Sequence, residues 1–309
     1  MIRKKLGNIS LDVSLLCLGT MTWGEQNTQS EAFEQMDYAL ERGINFVDTA
    51  ELYAVPPKAE TQGSTEEIIG NWFAQSAKRD KVILASKVVG RSAMEWFRGE
   101  ESRLSRAHIT QAIEGSLARL QTDYIDLYQL HWPDRATNYF GQLGYEHKEN
   151  DDAIALEETL TVLKELVEQG KIRHIGLSNE TPWGMAECLR LSREMDMPRV
   201  VSVQNPYSLL NRSYEVGCAE ISIREEIGLL AYSPLAFGML TGKYNHDAWP
   251  EKGRLTLFSH FQRYLNDRAR AATLEYCEIA KKHGHTPTQM ALAYVNSRPF
   301  FSINITAAT

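Results

Sequence analysis

Eight times along this chain, a short run of β-branched and apolar residues gives way to a stretch with helical periodicity. The strand-like runs fall at 14–18, 45–49, 82–87, 125–131, 172–177, 200–204, 229–233 and 301–305. The helical patterns fall at 30–42, 65–76, 109–120, 156–168, 182–195, 215–225, 268–283 and 287–297. Several runs, such as Val82-Ile83-Leu84-Ala85, are apolar on both faces, which suits a parallel sheet covered by helices. Eight such units predict an α/β fold of the (β/α)8 TIM-barrel type, with its active site at the C-terminal ends of the strands. A doubly wound open sheet is the alternative, and it is weakened because no G-x-G-x-x-G follows an early strand. Segment 4–13, with Gly7-Asn8 at its centre, predicts a β-hairpin placed to plug the bottom of the barrel. No linker rich in Pro, Gly and Ser divides the chain, so 1–309 reads as a single domain.

Helix ends carry their own signals. Ser30 is expected to cap a helix with Glu34 in its first turn, and Thr65 another, followed by Glu66 and Glu67. Gly43 and Gly170 suit left-handed helix ends, and Pro182 and Pro287 suit first turns.

At the ends of three runs, and shortly after one of them, stand four polar residues. Asp48 closes Asn45-Phe46-Val47, and Tyr53 follows five positions later. Lys87 ends the run from Val82, and His131 ends the run from Ile125. A carboxylate, a phenol, an ammonium and an imidazole are the parts for donating a proton to a carbonyl oxygen. A free tyrosine, with a pKa of about 10, is a poor acid at neutral pH, and a neighbouring cation is expected to lower that value. Lys87 can supply the cation, Asp48 can hold Lys87 protonated, and His131 can donate a hydrogen bond to the same substrate oxygen. Taken singly, each of the four is more often structural. Their coincidence over successive strands reverses that judgement. None is a hydride donor, so a reduced cofactor is implied.

Other classes fit less well. The net charge is −7 and no basic stripe occurs, which argues against a nucleic-acid surface. The four cysteines, Cys17, Cys188, Cys218 and Cys277, are far apart, as expected of free thiols in a reducing compartment. The basic N-terminus has no apolar core behind it, and no apolar run approaches the ~20 residues of a membrane span. A cytoplasmic protein without membrane contact is expected. A metal-dependent hydrolase would need paired His or carboxylate ligands at strand ends, and no metal site is read here. Three long loops, at 54–64, 90–108 and 132–153, lie on the predicted active face. Trp23, Trp132, Tyr139 and Phe140 could wall a pocket for a carbonyl substrate, or equally pack their own loops.

The segments Gly19-Thr20-Met21, Asp48-Thr49-Ala50-Glu51-Leu52-Tyr53, Lys87, Leu130-His131-Trp132-Pro133, Gly176-Leu177-Ser178-Asn179, Gln204-Asn205-Pro206-Tyr207-Ser208 and Tyr232-Ser233-Pro234-Leu235 resemble the aldo-keto reductase superfamily. The loop from Ala54 to Gly63 and the segment from Asn205 to Arg212 resemble its bacterial Tas-type branch. The resemblance covers nearly the whole chain. It implies NADPH-dependent reduction of aldehydes or ketones to alcohols on a (β/α)8 barrel. It casts Tyr53 as proton donor, Asp48 and Lys87 as its tuning pair, and His131 as the group that orients substrate, with Trp23 and Trp132 beside it. Gly19, Thr20, Met21 and Asp48 would line the cofactor, and Ser178, Asn179 and Gln204 would hold the nicotinamide carboxamide. Tyr232 would stack on the nicotinamide ring. Ser233, Pro234, Leu235, Gly238, Leu240, Gly242 and Lys243 would wrap the pyrophosphate, with Arg254 as a further phosphate contact.

The C-terminal end departs from the family pattern. Ala307 stands where the resemblance implies a glycine, and against that pattern the fold is expected to lack the last barrel helix and C-terminal extension. The resemblance thus implies weak binding of the adenosine end, and a barrel wall near the eighth and first strands without cover. That wall would expose an apolar patch, invite self-association or leave the eighth strand displaced. The alternative to an enzyme is a catalytically weak nucleotide-binding or regulatory barrel protein, for which the family offers precedent among ion-channel partners. The intact quartet favours the enzyme.

Overall fold

All eight strand-like runs become parallel strands, and these close on themselves in the computed structural model, which describes residues 1–259 and 261–306. A short antiparallel hairpin comes first, β1 (Arg3–Lys5) paired with β2 (Asp12–Ser14). The barrel strands follow as β3 (Leu16–Gly19), β4 (Phe46–Asp48), β5 (Ile83–Val88), β6 (Ile125–Leu130), β7 (Ile172–Ser178), β8 (Val200–Pro206), β9 (Gly228–Tyr232) and β10 (Phe301–Thr306). Their spatial order equals their chain order, and β10 pairs with β3 to close the ring. The helices are α1 (Gln29–Glu41), α2 (Ser64–Ser76), α3 (Arg106–Leu120), α4 (Leu156–Glu168), α5 (Pro182–Glu194), α6 (Cys218–Arg224), α7 (Arg254–Leu257), α8 (Asp267–Lys282) and α9 (Pro287–Asn296).

Period-two alternation sorts each strand between two cores. Val47, Leu84, Tyr128, Leu130, Ile175, Leu177, Leu229 and Ala231 pack outward against the helices. Cys17, Phe46, Ala85, Leu127, Leu230 and Ile303 fill the barrel interior, together with Leu6 and Val13 of the hairpin. The hairpin therefore plugs the N-terminal end of the barrel. Its turn passes so close to β8 that a Cβ on Gly7, at φ +56°, would lie 2.3 Å from the Val201 carbonyl oxygen. Two residues beyond this apolar layer, the same inward alternation brings Asp48, Lys87 and Gln129 toward the other end of the barrel.

Several end signals act where the sequence places them. Gly43 and Gly170 adopt positive φ just past α1 and α4, and Pro182 and Pro287 open α5 and α9 behind capping threonines. Two expectations are corrected. The cap of α1 is Thr28, not Ser30, and Glu31 completes a capping box that Glu34 lies too far along to form. Thr65 lies inside α2, where its buried hydroxyl donates to the Trp23 carbonyl at 2.8 Å. The helix starts instead from left-handed Gly63.

The pattern at 215–225 resolves into a 3-10 turn over Ser213–Val216 and the short α6. A fourth long connection, 233–266, joins the three foreseen and carries its own small core of Ala236, Met239, Leu240, Tyr244, Leu255 and Tyr264. The eighth barrel strand, β10, is not displaced. It is hydrogen-bonded to β3 on one side and β9 on the other, and Ile303 and Asn304 are buried. Ala307 lies outside the described residues. Among the described residues no helix is long and apolar enough to cross a membrane.

Candidate active site

Parallel register sets the site. Gly19 pairs with Asp48, Asp48 with Ala85, and Lys87 with Gln129, so the polar residues rise in one layer at the C-terminal ends of adjacent strands. Lys87 has no exposed surface. Its ammonium donates to Asp48 Oδ2 at 2.7 Å, to the Thr49 carbonyl at 2.8 Å and to Tyr53 Oη at 3.3 Å. The other Asp48 oxygen accepts from Gln204 Nε2 at 2.8 Å and Gln129 Nε2 at 3.3 Å. Thr20 clasps the Asp48 carbonyl through both its amide and its hydroxyl, at 3.1 and 2.8 Å. The His131 ring meets the Tyr53 ring edge-on, with centroids 5.8 Å apart. The structure thus brings Asp48, Tyr53, Lys87 and His131 together.

Burial and neighbouring charges together set the protonation of Lys87, Tyr53 and His131. For Lys87 burial opposes the charge, but Asp48 and Tyr53 outweigh it and hold the ammonium above its ordinary pKa. For Tyr53 burial raises the phenol, and Lys87 pulls it down without cancelling the rise. The expectation of a lowered tyrosine pKa is therefore corrected: desolvation of the phenolate is the larger effect. The result is a phenol that keeps its proton at neutral pH. Burial, helped by Lys87, pushes His131 well below the ordinary imidazole range, so it is neutral. Its Nδ1 is buried without a hydrogen-bond partner among the described residues.

A second polar group adjoins the quartet. Ser178 and Gln204 are paired across β7 and β8. Asn179, held at φ +52°, donates to the His131 carbonyl at 2.9 Å and accepts from Tyr232 Oη at 2.7 Å. After β9 the chain turns tightly through Ser233, Pro234 and Leu235, with positive φ at Ser233, Gly238 and Gly242. Lys243 and Arg254 follow. Burial and Arg254 lower the Lys243 pKa, and burial lowers that of Arg254. Neither has a carboxylate partner among the described residues. Arg254 also acts electrostatically on Tyr53, so this end of the insertion faces the quartet.

Not every sequence candidate reaches the site surface. Trp23 is fully buried, donates its indole N–H to Gln35 at 3.1 Å and packs with α1 and α2. It does not share a cluster with the other candidate substrate aromatics. Trp132 does: its ring stacks on Tyr139 and lies tilted against His131 and Phe140, and its indole N–H donates to the Arg91 carbonyl at 2.8 Å. Leu240 is buried in the core of the insertion, where it supports the turn. Met21 is half-buried, and its carbonyl accepts from Val55 N–H beside Tyr53. Gly19 is a place of close approach, since a Cβ there would lie 2.9 Å from Ile305.

Sequence reading missed Gln129, whose signal was a polar side chain two positions before His131 on an otherwise apolar face. It also missed Glu51 and Arg98, a buried ion pair beside Tyr53. Nothing in sequence spacing marks that pair. Among the described residues no three His, Cys, Asp or Glu side chains converge as metal ligands would.

Fold and site together define a barrel with a layer of interacting polar side chains at the C-terminal ends of its strands. Comparison with known proteins names the family. The model of the Aldo/keto reductase family matches residues 15–309. "Protein tas" of Escherichia coli (strain K12) is 51% identical over 99% of this chain and 88% of its own length. "Uncharacterized oxidoreductase YrpG" of Bacillus subtilis (strain 168) is 34% identical over 97% of this chain and 85% of its own. A "Probable voltage-gated potassium channel subunit beta" of Arabidopsis thaliana is 30% identical over 99% of this chain and 87% of its own. The chain belongs to the aldo/keto reductase family.

Proposed function

We propose that this protein is a cytoplasmic enzyme that reduces aldehydes or ketones to alcohols with NADPH, and that Tyr53 is its general acid. The observation that carries this is the buried Lys87 ammonium, held by Asp48 at 2.7 Å and set 3.3 Å from the Tyr53 hydroxyl. As the Tyr53 proton passes to the carbonyl oxygen, a phenolate forms in a desolvated place. Lys87 stabilises that charge, and Asp48 together with Gln204 and Gln129 keeps Lys87 charged and aimed. Neutral His131 donates a hydrogen bond to the same oxygen.

The residues present fit NADPH. Two neighbouring cations, Lys243 and Arg254, lack acidic partners among the described residues and suit phosphate, and Gly238 and Gly242 permit close backbone approach. Ser178, Asn179 and Gln204 offer donors and acceptors for a carboxamide, and Tyr232 a ring face. When bound, NADPH supplies the hydride that completes the reduction. A purely regulatory role, suggested by the channel-subunit relative, would not require Tyr53 to be kept beside a buried Lys87–Asp48 pair and His131.

Tyr53→Phe tests the reading. Turnover of 4-nitrobenzaldehyde should fall at least about 10²-fold, while NADPH still quenches tryptophan fluorescence. Near-normal turnover in that variant would remove Tyr53 from the role.

A further inference from the structure

Tyr53 lies on a loop, not on a strand, so something must hold it against Lys87. Two residues before it stands Glu51, whose side chain is 1% exposed. Both carboxylate oxygens accept from Arg98 Nη2 at 2.8 Å, and one also accepts from the Val89 N–H at 2.8 Å. The Glu51 backbone is gripped as well: its N–H donates to the Lys87 carbonyl at 3.2 Å, and its carbonyl accepts from Gln62 Nε2 at 2.7 Å. The Tyr53 amide then donates to Ala50 at 3.0 Å, and the Tyr53 carbonyl accepts from Gly63 at 2.8 Å. Arg98 is itself 5% exposed and comes from the other loop, 89–105. There its neighbour Phe97 packs with Leu52 and Trp132.

A buried ion pair is weak evidence for stability, because desolvation offsets most of its attraction. Here its place is informative. It ties the loop carrying the phenol to the end of the strand carrying the ammonium, and to the loop that packs on the aromatic cluster. We propose that Glu51 and Arg98 are positioning residues, which set the Tyr53 hydroxyl against the Lys87 ammonium and couple that contact to the 89–105 loop. This rests on the reading of Tyr53 as proton donor.

The sign of a titration separates geometry from charge. The charged groups that act most strongly on Tyr53 are Lys87 and Asp48, then Arg254, and the sign test rests on Glu51. If Glu51 acts only through space, Glu51→Gln removes a negative charge and lowers the Tyr53 pKa. If it positions the loop, the phenol drifts from Lys87 within the same dry site, losing the pull of the cation while burial persists, and its pKa rises. The full chain is labelled with 13C at the tyrosine ring carbon that bears the hydroxyl. The Tyr53 resonance is assigned with Tyr53→Phe and followed against pH.

Glu51→Gln and Arg98→Met should both raise the Tyr53 pKa. Both should cut kcat for 4-nitrobenzaldehyde at least about tenfold, with NADPH affinity within about threefold of the parent. Arg98→Lys should recover part of each change. A fall in the Tyr53 pKa, an unmoved titration, or a loss of NADPH affinity in step with kcat would overturn the proposal. A wild-type chain without turnover would count against the reductase reading alone, since the phenol titration still decides the positioning role.

Discussion

At the scale of single residues, burial outweighs the partners at Tyr53 and His131, while at Lys87 the partners outweigh burial. It raises the Tyr53 phenol past the pull of Lys87 and drives His131 far below its ordinary range. The His131 shift makes stability depend on pH. An unfolded histidine takes up a proton near pH ~6.5, while native His131 does not until much lower. The stabilisation is therefore complete above about pH 6.5 and is lost as pH falls toward the native value. Urea midpoints of the wild type should drop between about pH 7 and 5, and His131→Asn should flatten that slope. His174, half-buried and also lowered by burial, acts in the same direction, so the slope shrinks without vanishing. Equal slopes in the two proteins would assign the effect to other groups.

At the scale of elements, local rules wrote most of the boundaries, and their failures are instructive. Three candidate hydroxyls, Thr28, Ser30 and Thr65, stand near the starts of α1 and α2, yet only Thr28 caps. Its hydroxyl accepts the Glu31 N–H, and the Glu31 carboxylate accepts the Thr28 N–H at 2.8 Å. Thr28→Ala should therefore cost about 1 kcal/mol in urea denaturation, and exposed Ser30→Ala less than about 0.5 kcal/mol. The reverse ranking would restore the original reading of the helix start. Thr65 failed as a cap because α2 starts at Gly63, whose positive φ lets the loop from Tyr53 turn directly into the helix. A cap is a geometric relation between neighbours, and composition alone leaves several residues eligible.

At the scale of the whole molecule, the barrel has a sealed end and a working end. Leu6 and Val13 of the hairpin pack with Phe46, Leu127 and Leu230 to fill the N-terminal end, and the polar layer with its long loops occupies the other. Leu6→Ala should cost about 2–5 kcal/mol in urea denaturation, because the fully buried side chain leaves a cavity. Turnover per folded molecule should stay unchanged, measured below the shifted midpoint. A matching fall in kcat would mean that the two ends are coupled. The eight strands, the hairpin and the positions of Asp48, Lys87 and His131 at strand ends were legible in the chain, since periodicity and turn residues act over a few neighbours. What could not be read there is what closure brings together. Gln204 reaches Asp48 across 156 residues, and Arg98 reaches Glu51 across 47. The Tyr53 proton, too, is governed by how much water the assembled loops exclude. Contacts of that separation, and the desolvation they create, exist only once the ring is shut, because no local pattern specifies which distant polar groups will share one dry space.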